Sequence, residues 1–191
     1  ARTAPPLGAS LGALFVFLAL MLVTPATLRQ LRDLVEPVVV RLGYELVAVE
    51  LSGGSHGPVL RLSVDKVGGI GIEDCTRVSR QVSPALDVAD PIFGSYDLEV
   101  STPGIERPVQ RAEDYARFAG CEIRLKPFGV EAKKRTRGVL LGIEDGVVSV
   151  ETATEVRTFP IEAIERANLA LSLEQFRRLG LGLPPIEEAT P

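Results

Sequence analysis

Between Thr24 and Leu42, apolar residues recur at three- and four-residue steps: Leu28, Leu31, Leu34, Val35, Val38, Val39 and Leu42. That spacing predicts a helix with one buried face. Thr24 suits its N-cap, Pro25 its first position and Gly43 its stop, while Pro37 inside the run is expected to kink or divide it. Tyr44–Leu51 (YELVAVEL) is apolar on both alternating faces, which predicts a strand covered on both sides. After a flexible GGSHG loop, Leu60, Leu62 and Val64 alternate with Arg61, Ser63 and Asp65, the pattern of a half-exposed partner strand. A second helix is predicted from about Ile72 to Asp87, with Cys75, Val78, Val82 and Leu86 inward and Glu73 and Asp74 at the positive end of its dipole. Pro84 is an irregularity within it, and Tyr96–Ser101 reads as a third strand.

The period changes after Ala119-Gly120. Cys121, Ile123 and Leu125 alternate with Glu122, Arg124 and Lys126. Val139–Ile143 and Val147–Val150 flank Glu144-Asp145-Gly146, where Asp-Gly is a strong hairpin signal. Glu155–Phe159 and Ala163–Leu169 complete a set of short strands that indicates a small barrel. Ser172 and Gln175 form a potential capping box for a turn of helix, and the Gly/Pro/Glu-rich end from Gly180 reads as a loose tail. The expected class is therefore α+β with two domains. A helix-strand-strand-helix-strand α/β sandwich occupies residues 24–118, its last part (Arg107–Arg117) a short surface helix leading out. A barrel follows over 119–170, then a short helix and tail over 171–191.

Residues 1–23 lie outside that pattern. Leu11–Val23 is a thirteen-residue apolar run, shorter than the roughly 18–20 residues of a spanning helix. It has the length of a signal-peptide core, and Thr24-Pro25-Ala26 is a passable cleavage site, but only Arg2 precedes it as a basic residue. The favoured reading takes Met21, the sole methionine, as the natural start and residues 1–20 as foreign to the fold; the alternative is an exported or membrane-tethered protein.

Composition narrows the chemistry. Over 191 residues, 46% apolar and 24% charged residues fit a globular chain, and the absence of Trp argues against a surface built from many stacking rings. Net charge is −4, yet Cys121–Arg137 holds six Lys/Arg against two Asp/Glu. A protein that touches RNA through one hairpin has such a distribution. Cys75 and Cys121 are far apart, with a single histidine in the chain, so no metal site is expected; buried free thiols are the plain reading, with a disulfide between them left open. His56 falls in a Gly-rich loop with no nucleophile placed beside it, and no Walker or GxGxxG loop occurs. Glu45, Glu50 and Glu99 are strand carboxylates of the ordinary solvent-facing kind. The chain reads as a non-enzyme without cofactor.

The basic hairpin is the stronger signal. In Phe128–Gly138 (FGVEAKKRTRG), Lys133, Lys134, Arg135 and Arg137 crowd one loop, joined by Lys126 on the preceding strand, with Phe128 the one ring available to stack. Crowded like charges cost stability unless a phosphate-rich partner supplies counter-charge; a solvated loop explains the pattern as well. Arg77, Arg80, Arg107 and Arg111 either extend this basic surface or pair with Glu73, Asp74 and Glu106.

Leu98–Val109, LEVSTPGIERPV, combines a strand end with a tight turn. Pro103 fixes its own φ and extends Thr102, Gly104 accepts positive φ, and Ser101, Glu106, Arg107 and Pro108 complete the segment. This segment resembles the signature of the RimP family, ribosome maturation factors of the bacterial small subunit. EPVVVRLGYELVAVEL, the helix ending Leu86-Asp87 and IERANL at Ile164–Leu169 extend the resemblance from about Thr24 to Phe176. Thr102 stands where the family often has Ser, which keeps the hydroxyl. The resemblance implies an N-terminal α/β domain and a C-terminal Sm-like, SH3-type small β-barrel. It implies binding to the free small (30S) subunit, through 16S rRNA and a small-subunit ribosomal protein at the barrel, and chaperone-like assistance of assembly without a covalent step. A cytoplasmic monomer is expected, with neither DNA nor membrane as partner. A general Sm-like RNA-binding protein is the rival reading.

Overall fold

The computed structural model describes residues 24–53, 57–128 and 135–186. The apolar run before Thr24 with Met21, the loop residue His56, and the hairpin residues Lys133 and Lys134 lie outside the described residues. The chain divides into two compact units between Thr102 and Pro103, with the short segment Val67–Gly69 grouped with the second.

The first unit runs α1 (Pro25–Arg41), β1 (Glu45–Gly53), β2 (Pro58–Asp65), α2 (Ile72–Ala89) and β3 (Asp97–Ser101). Thr24 caps α1: its Oγ1 accepts from the Thr27 N–H at 3.1 Å, and Thr27 Oγ1 accepts from the Thr24 N–H at 3.4 Å. Neither Pro37 nor Pro84 divides its helix. Both lie on exposed faces, so the carbonyls they leave without an N–H partner are on the solvent side.

β1 pairs antiparallel with β2, and β2 parallel with β3, in the order β1-β2-β3. The parallel pairing requires a crossover, which α2 supplies. β2 is thus the central strand and is buried almost throughout, including Ser63, rather than half exposed. Alternation marked its two faces correctly, but the neighbour that covers its second edge comes from a strand over thirty residues later. Leu31, Val35 and Val39 of α1 pack with Val78, Val82 and Leu86 of α2 against Leu46, Val49, Leu60, Leu62 and Val64.

A polar clamp ties the start of α2 to the sheet. Asp74 accepts from the Gly71 N–H at 2.9 Å, from the Tyr44 hydroxyl at 2.5 Å and from Lys66 Nζ at 3.2 Å. The Gly71 bond above all, then those from Tyr44 and Lys66, holds the Asp74 carboxyl down to about 2. Lys66 also lies 5.2 Å from the centre of the Tyr44 ring.

The second unit contains α3 (Ala112–Arg117), β4 (Glu122–Pro127), β5 (Thr136–Glu144), β6 (Val147–Glu151), β7 (Val156–Pro160), a 3-10 turn (Ile161–Ala163), β8 (Ile164–Leu169) and α4 (Leu173–Gly180). All its sheet pairings are antiparallel, in the order β7-β6-β5-β4-β8. Asp145 (φ 48°) and Gly146 (φ 77°) turn β5 into β6 with both central residues left-handed, as a two-residue hairpin requires. The sheet is open, not the closed barrel expected: among the described residues no pairing joins β7 to β8. The 3-10 turn between them bonds elsewhere, from the Ile161 N–H to the Gly146 carbonyl (2.9 Å) and from the Phe128 N–H to the Ala163 carbonyl (2.8 Å).

Two further expectations change here. The segment 107–117 is not a surface connector: Val109, Tyr115 and Phe118 are core residues packed with Ile123, Leu125, Leu140, Val148, Val150 and Leu169. Nor is the chain loose immediately after Gly180. The Leu183 N–H returns to the Arg178 carbonyl (2.9 Å), Arg178 Nε donates to the Pro184 carbonyl (2.9 Å), and Pro185 is buried. Ser172 and Gln175 do form the capping box, opening two turns of helix. Both cysteines are free, Cys121 buried and Cys75 half-buried, and burial pushes the Cys121 thiol up to about 11.

Candidate nucleic-acid interface

β4 alternates strictly. Ile123 and Leu125 enter the core, which turns Glu122, Arg124 and Lys126 outward. Register then sets neighbours. Arg124 lies opposite Arg137 of β5 on one side and Asn168 of β8 on the other, and Lys126 lies opposite Arg166 of β8. Directly opposed residues share a face, so Arg124, Lys126, Arg137 and Arg166 stand together on the outer face of β8-β4-β5.

Arg124, Lys126 and Arg137 each have a carboxylate at hand. Arg124 Nη1 donates to Glu106 at 2.6 Å, Lys126 Nζ to Glu165 at 2.5 Å, and Arg137 Nε to Glu122. The Arg137 bond lowers the Glu122 carboxyl below its ordinary value and raises the guanidinium. These pairs are largely in contact with water, where each contributes little to stability and exchanges readily.

The residues of the signature turn fall into two groups. Ser101 ends β3 and Thr102 is exposed; beyond them, Gly104 has φ 64°, the positive φ its turn demands. Glu106, Arg107 and Pro108 run alongside β8. The Glu106 carbonyl accepts from Asn168 Nδ2 (3.0 Å), the Arg107 carbonyl from the Leu169 N–H (2.8 Å), the Val109 N–H donates to the Ala167 carbonyl (3.0 Å), and Pro108 bridges Asn168. Arg107 is buried, 4% exposed, with its guanidinium 5.7 Å from the centre of the Phe118 ring. Arg107 therefore belongs to the interior of the second unit, while Glu106 points its charge at Arg124.

Of the hairpin residues within the described chain, Lys126 and Arg137 are on the outer face just defined, and Arg135 is exposed immediately before β5. Phe128 is partly exposed at the end of β4. Arg77 and Arg80 remain exposed on α2; Asp74 pairs with Lys66 and Glu106 with Arg124 instead, and Arg111 pairs with Asp114 at 3.2 Å. Arg124, Arg166 and Asn168 were not singled out from the sequence. Their outward positions were readable in the alternation, but their neighbourhood is fixed by long-range register.

The described residues thus define an α+β protein of two units, with an open antiparallel sheet carrying an ion-paired cationic face. Among them, no helix is long and apolar enough to cross a membrane. Residues 34–106 match the family model of the RimP N-terminal domain. Over this stretch the chain is similar to the N-terminal domain of the RimP family, and the match supports the resemblance read from the signature segment. The match runs from α1 to Glu106 and so takes in most of the signature segment.

Proposed function

We propose that this protein is a ribosome maturation factor that binds the free small (30S) ribosomal subunit and assists its assembly without covalent chemistry. The carrying observation is the RimP N-terminal domain match over residues 34–106. The cationic face of the second unit supports a phosphate-rich partner. The second unit is read as Sm-like and SH3-type in topology, left open between β7 and β8, because its last strand returns to pair beside its first. In this reading it contacts 16S rRNA and a small-subunit ribosomal protein, and Lys126, Lys133, Lys134, Arg135 and Arg137 provide the RNA contact. The factor is a cytoplasmic monomer and not an enzyme: its binding energy favours an assembly-competent RNA conformation over competing ones.

Co-sedimentation with purified free small subunits at low and high salt is the test. The intact protein is expected in the subunit fraction at low salt and to leave it as salt rises. Joint reversal of Lys133, Lys134 and Arg135 to Glu is expected to weaken association by at least tenfold with an unchanged unfolding midpoint. Full association by that variant removes the hairpin from the reading. Failure of the intact protein to associate at any salt removes the function. A stable hexamer binding unrelated RNAs equally well supports the general Sm-like alternative.

A further inference from the structure

The sheet's register places like charges face to face on neighbouring rungs: Arg124 opposite Arg137, and Lys126 opposite Arg166. Directly opposed like charges destabilise an antiparallel pair. The opposing carboxylates come partly from outside these three strands, since Glu106 is delivered by the segment alongside β8 and held there through Asn168. Two residues along β4 advance by about 6.7 Å and adjacent strands lie about 4.8 Å apart, so Arg137, Arg124, Lys126 and Arg166 follow one another in a staggered row across the sheet. Such a row suits successive phosphates of a nucleic-acid strand.

We infer that the outer face of β8-β4-β5 is an RNA-backbone site extending beyond the basic hairpin, in which Arg124 and Arg166 contact phosphates and the Glu106 carboxylate occupies the place of a phosphate on Arg124 until RNA displaces it. The inference rests on the proposed ribosome-binding function and adds to it a site and a restraint. Glu106 keeps the guanidinium extended and oriented in the free protein, and it weakens binding by the free energy of one exposed ion pair. Contacts of this kind carry no base specificity.

The full chain is tested by fluorescence anisotropy with a short labelled single-stranded RNA, and by co-sedimentation with free small subunits. R124Q and R166Q are each expected to weaken RNA binding several-fold; R166Q should make the slope of log K against log salt shallower by about 0.7, and R124Q by less, because RNA displaces the Glu106 carboxylate from Arg124. R124K, which retains the charge, is expected to keep that slope, and E106Q to bind RNA about two- to five-fold more tightly. All three side chains altered are at the surface, and thermal unfolding checks that each variant is folded. Unchanged RNA affinity and slope in folded R124Q and R166Q overturns the site. If subunit binding then still depends on Lys133, Lys134 and Arg135, the proposed function stands without it; if the intact protein binds no subunit, that function fails first. Unchanged affinity in E106Q overturns the displacement step. A gain by E106Q for a labelled polyglutamate peptide but not for RNA overturns the assignment to RNA and makes the face an acidic-protein site.

Discussion

Gly138 lies in β5 where a Cβ would stand 2.1 Å from the Glu151 carbonyl oxygen and 2.9 Å from Val150 Cγ1. Backbone on the neighbouring strand cannot withdraw as a flexible side chain would, so the ladder between β5 and β6 depends on the missing methyl group. Gly138→Ala is expected to destabilise the protein by about 1–3 kcal/mol, read as a lower urea midpoint at unchanged slope. Asp74 offers a titratable counterpart. Its carboxyl ionises near 2 in the folded chain against an ordinary 3.8, so the unfolded chain binds more protons between those values. Stability from this group is complete above about pH 5 and is lost as pH falls through about 4 toward 2. Asp74→Asn is expected to flatten that part of the stability–pH curve while lowering the plateau at neutral pH, and urea melts across the acid range measure both. A curve for Asp74→Asn as steep as that of the unaltered protein would show that other carboxylates set the acid limit.

Elements were legible where a single period runs long enough. Leu31, Val35 and Val39 mark α1, and Val78, Val82 and Leu86 mark α2, because three or more turns present the same face. β6 announced itself through Asp145-Gly146. The six-residue α3 has too few turns to show a period, so nothing local distinguishes Tyr115 and Phe118 from residues of a surface connector. The cationic face was half legible: alternation gave the outward side of β4, but which cations oppose Arg124 and Lys126 is decided by strand pairing across tens of residues. Position in the core predicts a clear consequence for α3. Phe118→Ala removes a fully buried ring and is expected to cost about 3–5 kcal/mol, with loss of the second unit's folded signals in amide exchange. A cost below about 1 kcal/mol would instead fit a side chain with little packing to lose.

At the scale of the whole molecule, net charge of −4 gives RNA no general attraction, so the interaction must be carried by a local set of cations. That set is bounded: Arg124, Lys126, Arg137 and Arg166 on the sheet face, and Lys133, Lys134 and Arg135 in the hairpin sequence. With each phosphate neutralised on a single strand contributing about 0.7, the slope of log K against log salt should be no steeper than about −5. Arg124, Lys126 and Arg137 already hold carboxylates, and a displaced side-chain carboxylate is not a released counterion, so the measured slope should fall on the shallow side of that bound. Anisotropy titrations with a short single-stranded RNA at several salt concentrations give the number directly. A steeper slope would mean that cations from the first unit, with Arg77 and Arg80 exposed on α2, also neutralise phosphate, and Arg77→Gln with Arg80→Gln would then make it shallower. A slope near zero would mean that contact is made through groups other than the basic ones, and the cationic face would lose its claim to the partner.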